Sequence, residues 1–407
     1  MKEGLNRRLP VLLLAVTVLI TCLSIIPILF IPPPTSSSEL GSGGPSYAQL
    51  TSGHWNDFYP IYNPNGQSIA FTSNRYGTQS LLSMNSDGSK VTSLFESSRA
   101  ANVSQPVFDP SGRLIAFLVT WKNRTTSLFD VTADGRQLQQ LVQDNGLIES
   151  FSWNPDGRTI AFDDFEQGSW TVRLVNVSNT LMKSISSPLA FPQVKSLNYR
   201  DPCWGPNGTW MVFSSDISGS ENIWSYNFAS GIMEQITKGV NDTNPSVSPN
   251  GKYIAFSRYA NDESGWAVWI ADSNGSNPHM ATSYPPNQNP GVDWLSSVSS
   301  ESNLAWSPDS NAVLFFSETQ GGNSLVPIAN VFVFYIGLNV SIYKHIGQNQ
   351  VVEGDSLVPV VYGSKDVDPS WGNGGLSIAY SELGIDGHYH IWIRTFISIV
   401  PKAIYGR

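Results

Sequence analysis

Two hydrophobic patterns divide the chain. From residue 11 to residue 31 it reads VLLLAVTVLITCLSIIPILFI, without a charge, a run long enough at ~1.5 Å per residue to cross a ~30 Å hydrocarbon layer. After residue 47 the apolar residues come instead in short, strand-like runs. Each run follows the same phrase, usually an aromatic residue, then one residue, Pro, one residue and Gly. The copies are YNPNGQSIAFTS from Tyr62, FDPSGRLIAFLV from Phe108, WNPDGRTIAFDD from Trp153, WGPNGTWMVFSS from Trp204, VSPNGKYIAFSR from Val247, WSPDSNAVLFFS from Trp306 and a worn WGNGGLSIAYSE from Trp371. Their prolines, Pro64, Pro110, Pro155, Pro206, Pro249 and Pro308, fall 46, 45, 51, 43 and 59 residues apart. That period suits one four-stranded unit per copy.

Within a unit the turn residues mark the strand ends. Pro presets φ for a tight turn, and Asn-Gly or Asp-Gly closes it between two strands. A buried strand such as Ile69-Ala70-Phe71 follows, then a variable loop, then a third strand such as NIWSYN from Asn222. A second Gly turn, as at Ser86-Asp87-Gly88, leads to a fourth strand such as MEQITKG from Met233. One such sheet cannot bury two apolar faces alone, so the units must stack around an axis.

Asp57-Pro60 and Asp242-Pro245 add a D-x-x-P element before the Pro-x-Gly and Ile-Ala-Phe phrases. Together these resemble the TolB-type (WD40-like) repeat of β-propellers over about residues 48 to 395. The resemblance implies an all-β fold, a seven-bladed β-propeller of four-stranded blades, and the apolar run adds one N-terminal transmembrane helix before it. It carries no single activity, because that repeat serves many functions. The departures are Asn373 for Pro, Ser310 for Gly and a stretched sixth unit.

The seventh unit offers three strands and then TFISIVPKAIYGR, without the turn that introduces a fourth. Residues 48 to 52, in YAQLTSG, read like the fourth strand EQITKG and are expected to complete the last blade and latch the ring. The competing reading places Phe396 to Val400 there.

Lys2, Arg7 and Arg8 precede the apolar run and the next basic residue is Arg75, so the N-terminus is expected in the cytoplasm and the remainder across the membrane. The run reads as a retained single-pass anchor, with a long signal peptide as the alternative, since no small-x-small cleavage site follows closely. The expected organisation is a cytoplasmic 1–10, an anchor 11–31, a Pro/Ser/Gly linker 32–46, the propeller 47–400 and a tail 401–407.

A net charge of −9 argues against a nucleic-acid binder. Cys22 and Cys203 are the two cysteines, too few for a disulfide framework or a cysteine-rich zinc site. No Walker loop, dinucleotide fingerprint, zinc helix or calcium loop occurs, so no cofactor is expected. Long loops fall between strands two and three and between blades, mostly around units six and seven: 284–302, 318–330, 348–366 and 186–201. They point to a protein or cell-envelope partner bound by Tyr284, Asp293, Trp294, Glu353, Asp355 and Tyr362, with tolerated insertions as the alternative. The sequence also resembles the propeller half of prolyl-oligopeptidase-like peptidases, but it lacks a Gly-x-Ser-x-Gly elbow. A seven-bladed oligosaccharide lyase with a histidine-bound metal is a further resemblance, for which His54, His388 and His390 are the candidate ligands. Solvated surface histidines are the plainer reading. Seven Asn-x-Ser/Thr sites, at Asn102, Asn123, Asn176, Asn207, Asn241, Asn274 and Asn339, are about as many as chance supplies and permit glycosylation without arguing for it. The recurring tryptophans read as blade packing rather than a sugar platform. The expected function is a membrane-anchored extracytoplasmic scaffold that binds protein or ligand without catalysis; the alternative is a polysaccharide-acting enzyme or a sugar-binding propeller.

Overall fold

The computed structural model describes residues 46–143, 146–166, 168–177, 187–188, 197–239, 241–260, 265–281, 304–319, 328–336, 340–343, 349–352, 356–364 and 369–395. Within them, every copy of the phrase opens a four-stranded antiparallel sheet. Sheet 1 consists of Asp57–Tyr62, Ser68–Ser73, Ser80–Asn85 and Thr92–Glu96, in that spatial order. Sheets 2 to 6 follow over residues 100–143, 151–188, 199–235, 242–280 and 305–364. Sheet 7 takes three strands from Ser370–Trp371, Ser377–Leu383 and Tyr389–Thr395.

The Ile-Ala-Phe phrase explains how the sheets pack. Side chains alternate across a strand, so the two large residues face one neighbour and the small one the other. Ile115 and Phe117 pack with Phe95 and Leu81 of sheet 1, while Ala116 packs with Trp153, Ile160 and Phe162 of sheet 3. The same alternation recurs in each sheet, and a last cluster joins Ile391 of sheet 7 to Ile69, Phe71, Leu82 and Met84 of sheet 1. The packed series therefore returns to its start.

In three copies the tryptophan of the phrase also fastens neighbouring sheets by a hydrogen bond. Trp153 Nε1 donates to the Val107 carbonyl at 3.1 Å, Trp306 Nε1 to Ser246 at 2.9 Å and Trp371 Nε1 to Ala305 at 2.9 Å. The glycine is required by close approach: a Cβ on Gly112 would lie 2.1 Å from Asn63 Oδ1, and its φ is +70°. Ser310 adopts the same left-handed conformation at φ 63° in the copy that lost its glycine, and its Oγ accepts the Asn250 N–H at 3.0 Å.

The fourth place in sheet 7 is filled by Ser46–Gln49, which pairs antiparallel with Thr395 to Trp392. The Leu50 N–H donates to the Ile391 carbonyl and the Ile391 N–H to Thr51 Oγ1, both at 2.8 Å. The latch thus begins two residues earlier than the sequence suggested. Phe396 to Val400 lie outside the described residues, and the edge they would have used is occupied. The segments 1–45 and 396–407, which include the expected anchor, linker and tail, are likewise outside them. Among the described residues no helix is long and apolar enough to cross a membrane.

Sheet 6 corrects one expectation. The sequence places 348–366 as a link between units six and seven. Instead Ser356–Ser364 is the outer strand of sheet 6, and a separate hairpin, Val340–Tyr343 with Asn349–Val352, is inserted before it. Pro359 is tolerated in this outer-edge strand because its missing N–H interrupts no further ladder. The inserted hairpin lies between strands three and four.

One buried carboxyl makes stability depend on pH. Asp130, 3% exposed, sits on the third strand of sheet 2, two residues from Leu128 and opposite Ala116, both in the apolar cluster shared with sheet 3. Burial pushes its carboxyl up to about 7, against a weaker opposing pull from its own N–H. The folded state then holds a proton that the unfolded chain releases near pH 4, so this group's contribution falls as pH rises from about 4 to 7. Asp130→Asn is expected to stabilise the fold at pH 8 by on the order of 2–4 kcal/mol and to lose that advantage at pH 4. Denaturant melts at the two pH values check this; parallel shifts would rule it out.

Candidate binding rim

Four inner strands share one irregularity. In sheets 1, 2, 4 and 5 the register slips just where the x-Pro pair stands, between Phe58 and Ile61, Ser104 and Val107, Arg200 and Cys203, and Thr243 and Ser246. The residue before each proline, Tyr59, Gln105, Asp201 or Asn244, has φ of 51° to 52°. Proline has no N–H for the ladder, so it settles at a bulge on the innermost strand. A non-glycine residue in the left-handed region is strained, a feature that concentrates at binding and catalytic sites.

In sheet 4 the bulged residue is a carboxylate, and it collects partners from both neighbouring sheets. Ser214 Oγ donates to Asp201 Oδ2 at 2.8 Å, and the Asn244 N–H approaches the same oxygen at 3.4 Å. The Asp201 N–H donates in turn to Asp163 Oδ2 at 3.2 Å. Asp163 is fully buried in sheet 3, where it also accepts the Glu149 and Ser150 N–H groups at 2.9 and 2.8 Å and Ser150 Oγ–H at 2.6 Å. Burial, and then the charge of Asp201, raise its carboxyl to about 6. Glu221 is also raised, by burial and by Asp201. Arg200 pairs with Glu149 and lies 4.8 Å over the Trp170 ring. Asp216 accepts the Asn198 N–H at 2.9 Å and Nδ2–H at 2.7 Å. Glu149, Asp163, Asp201 and Glu221 therefore gather around Arg200, with Asp216 near Glu221 and the aromatic pair Phe165 and Trp170, whose centroids are 5.2 Å apart, beside them.

The cluster lies on the rim formed by the connections between strands two and three and by the links between sheets. Its chemistry is that of a surface for cations and hydrogen-bond donors, framed by flat rings. Asp163, buried and tied down by four donors, acts as the support that orients Asp201 rather than as a contact.

The residues singled out from sequence fall elsewhere. Tyr284, Asp293, Trp294, Glu353 and Asp355 lie outside the described residues, and Tyr362 is on the outer strand of sheet 6. His54 and His388 do meet on the same rim at sheet 7, with ring centroids 5.8 Å apart. His390 is buried instead and holds Asp386 Oδ2 through Nε2 at 2.9 Å. Among the described residues no group of three or more His, Cys, Asp or Glu side chains is placed to hold a metal. The two D-x-x-P aspartates are structural. Asp57 and Asp242 are fully buried and each grips an arginine, Arg75 or Arg258, through both oxygens.

Comparison with known proteins fits this architecture. Residues 94–289 match the profile of the TolB beta propeller domain. Over that span the repeats are similar to those of TolB-like β-propellers. The Tol-Pal system protein TolB of Francisella tularensis subsp. mediasiatica (strain FSC147) is 26% identical over 198 residues, 48% of this chain and 44% of that protein. The chain thus spans less than half the length of that curated relative. Crystalline TolB from Acinetobacter baumannii superposes with a TM-score of 0.50 at 19% identity, covering 78% of this chain and 66% of that one. An oligogalacturonate lyase from Vibrio parahaemolyticus superposes with a TM-score of 0.61 at 11% identity, over 86% of this chain and 94% of that one. Likeness at these identities carries the fold and leaves the activity open.

Proposed function

We propose that this protein is a membrane-tethered, extracytoplasmic, seven-bladed TolB-like propeller that works as a non-catalytic binding scaffold, and that the acidic rim of sheets 3 to 5 grips a cationic segment of a protein or cell-envelope partner. The observation that carries this reading is the Asp201 bulge, a strained residue held in place from three sheets with unbalanced carboxylates around it. The polarity of the latch supports it further. Ser46 pairs with Thr395, at the far end of the strand that begins beside His388. Ser46 therefore lies at the rim opposite the acidic one.

Crosslinking the full chain in its own membranes, followed by mass spectrometry, tests the reading. The combined substitution Glu149→Gln, Asp201→Asn and Glu221→Gln is expected to reduce capture of the crosslinked partner by about tenfold or more, with wild-type capture weakening steeply as salt rises. Capture that is unchanged and insensitive to salt would remove the acidic rim from the function.

The second reading, a polysaccharide-acting lyase or sugar-binding propeller, is favoured by the His54–His388 pair together with the fold shared with an oligogalacturonate lyase. Unsaturated products released from oligogalacturonate by the full chain with added manganese, and lost in His388→Ala, would replace the scaffold reading with this one.

A further inference from the structure

The seven Asn-x-Ser/Thr sequences are equivalent in sequence but not in structure. Asn123, Asn207 and Asn274 stand at exposed turn tips: between strands two and three of sheet 2, between strands one and two of sheet 4, and between strands three and four of sheet 5. In all three the side-chain oxygen accepts the N–H of the residue two positions on, and at Asn123 and Asn207 its hydroxyl as well; the Ser276 hydroxyl is shared with Asp272 Oδ2 at 2.7 Å. Asn123 Oδ1 accepts the Thr125 N–H at 3.2 Å and its hydroxyl at 2.9 Å. Asn207 Oδ1 accepts the Thr209 N–H at 3.1 Å and its hydroxyl at 2.9 Å. Asn274 Oδ1 accepts the Ser276 N–H at 2.9 Å and lies 2.7 Å from its hydroxyl. With the oxygen engaged, the amide nitrogen is the part of each side chain left for an outside reagent.

The other described sequences are not presented in this way. Asn102 and Ser104 lie within the inner strand Ala100–Phe108, where Asn102 is half-buried and stands opposite Thr120. Asn241 is followed by Asp242, fully buried in its ion pair with Arg258, and by Thr243, also buried. A transferase that must enclose Asn, the middle residue and the hydroxyl cannot do so without unpacking sheet 5.

We infer that Asn123, Asn207 and Asn274 are N-glycosylation sites and that Asn102 and Asn241 are not. This rests on the extracytoplasmic placement proposed above. The donor is an oligosaccharide linked through its anomeric carbon to a lipid phosphate or pyrophosphate. The Asn Nδ2 forms the new C–N bond and loses one proton; the anomeric C–O bond breaks, and the lipid phosphate departs with its electron pair. Asn207 and Asn274 belong to turns on the rim where the latch begins, so their glycans would crowd that rim, whereas Asn123 projects from the acidic one.

The test uses the full chain purified from its own host. Intact cells are first treated with a membrane-impermeant lysine reagent, which reports placement through exposed Lys90 and Lys252. Glycopeptides are then mapped by mass spectrometry. The expected result is labelled lysines, a glycan on peptides containing Asn123, Asn207 and Asn274, and bare Asn102 and Asn241. Thr125→Ala, Thr209→Ala and Ser276→Ala should each remove one glycan mass. Labelled lysines with the three turn asparagines bare, or glycans on Asn102 or Asn241 instead, would overturn the inference while leaving the placement standing. Unlabelled lysines would overturn placement and inference together.

Discussion

Deleting residues 46–53 is expected to lower the melting midpoint by about 10 °C, because the last sheet loses its outer strand and the packed series of sheets loses its fastening. The loss comprises the backbone pairs from Ser46–Gln49 to Thr395–Trp392, the bonds of Leu50 and Thr51 to Ile391, and the packing of Tyr47 under the Arg394 guanidinium at 4.9 Å. At ~1 kcal/mol net for each hydrogen bond, the total is on the order of 5 kcal/mol. The bared edge of Tyr389–Thr395 also becomes a template for intermolecular pairing, so the truncated chain should aggregate on heating. Calorimetry on both chains reads the effect, and coincident melts would mean that the terminal strand contributes nothing to closure.

Asp242→Ala is expected to cost about 3–5 kcal/mol, because it strands a mostly buried guanidinium. Arg258 is held by Asp242 Oδ1 at 2.6 Å and Oδ2 at 2.9 Å, and lies 4.4 Å over Trp269 and 5.2 Å over Phe256. With no carboxylate opposite, the cation must either stay desolvated or pull the second strand of sheet 5 away from its core. The exposed pair Asp134–Arg136, at 3.3 Å, supplies the contrast: Asp134→Ala should leave stability nearly unchanged. Replacing Asp242 and Arg258 together by apolar residues of similar volume should recover much of the loss, since the penalty lies in the unpaired charge rather than in the missing attraction. Chemical denaturation of the three variants separates these cases, and an Asp242→Ala chain as stable as the Asp134→Ala chain would refute the account.

The repeat made the scaffold legible because each of its residues has a local cause. Pro and Gly fix a turn, Ile-Ala-Phe sorts large from small across a strand, and Trp needs a carbonyl within reach. The same reasoning found the latch from a strand without a sheet and a sheet without a strand, missing its start by two residues. The acidic rim was hidden for the opposite reason. Glu149, Asp163, Asp201 and Glu221 come from two sheets and the connections beside them, at positions that are not equivalent between repeats, so no spacing links them. One signal was present. Asp163 and Asp164 interrupt a strand whose counterparts continue with Thr72 and Ser73 or Leu118 and Val119, and two adjacent carboxylates inside a buried strand call for partners. The outer strand of sheet 6 was hidden because the hairpin Val340–Tyr343 with Asn349–Val352 stands between it and the third strand, where sheets 1, 2, 4 and 5 carry a short turn.

The bond from Ile391 to Thr51 spans 340 positions in the chain. At ~5–20 residues per second, a ribosome needs roughly 17–70 s to make the partner of the first strand after the strand itself has appeared. The intervening modules can condense one upon another as they emerge, yet the segment Ser46–Thr51 has no mate until Tyr389–Thr395 has been made. Maturation should therefore end in a single late step whose rate is independent of how quickly the middle modules assemble, and a holdase that shields that segment would raise the yield of native protein more than one acting on any later stretch.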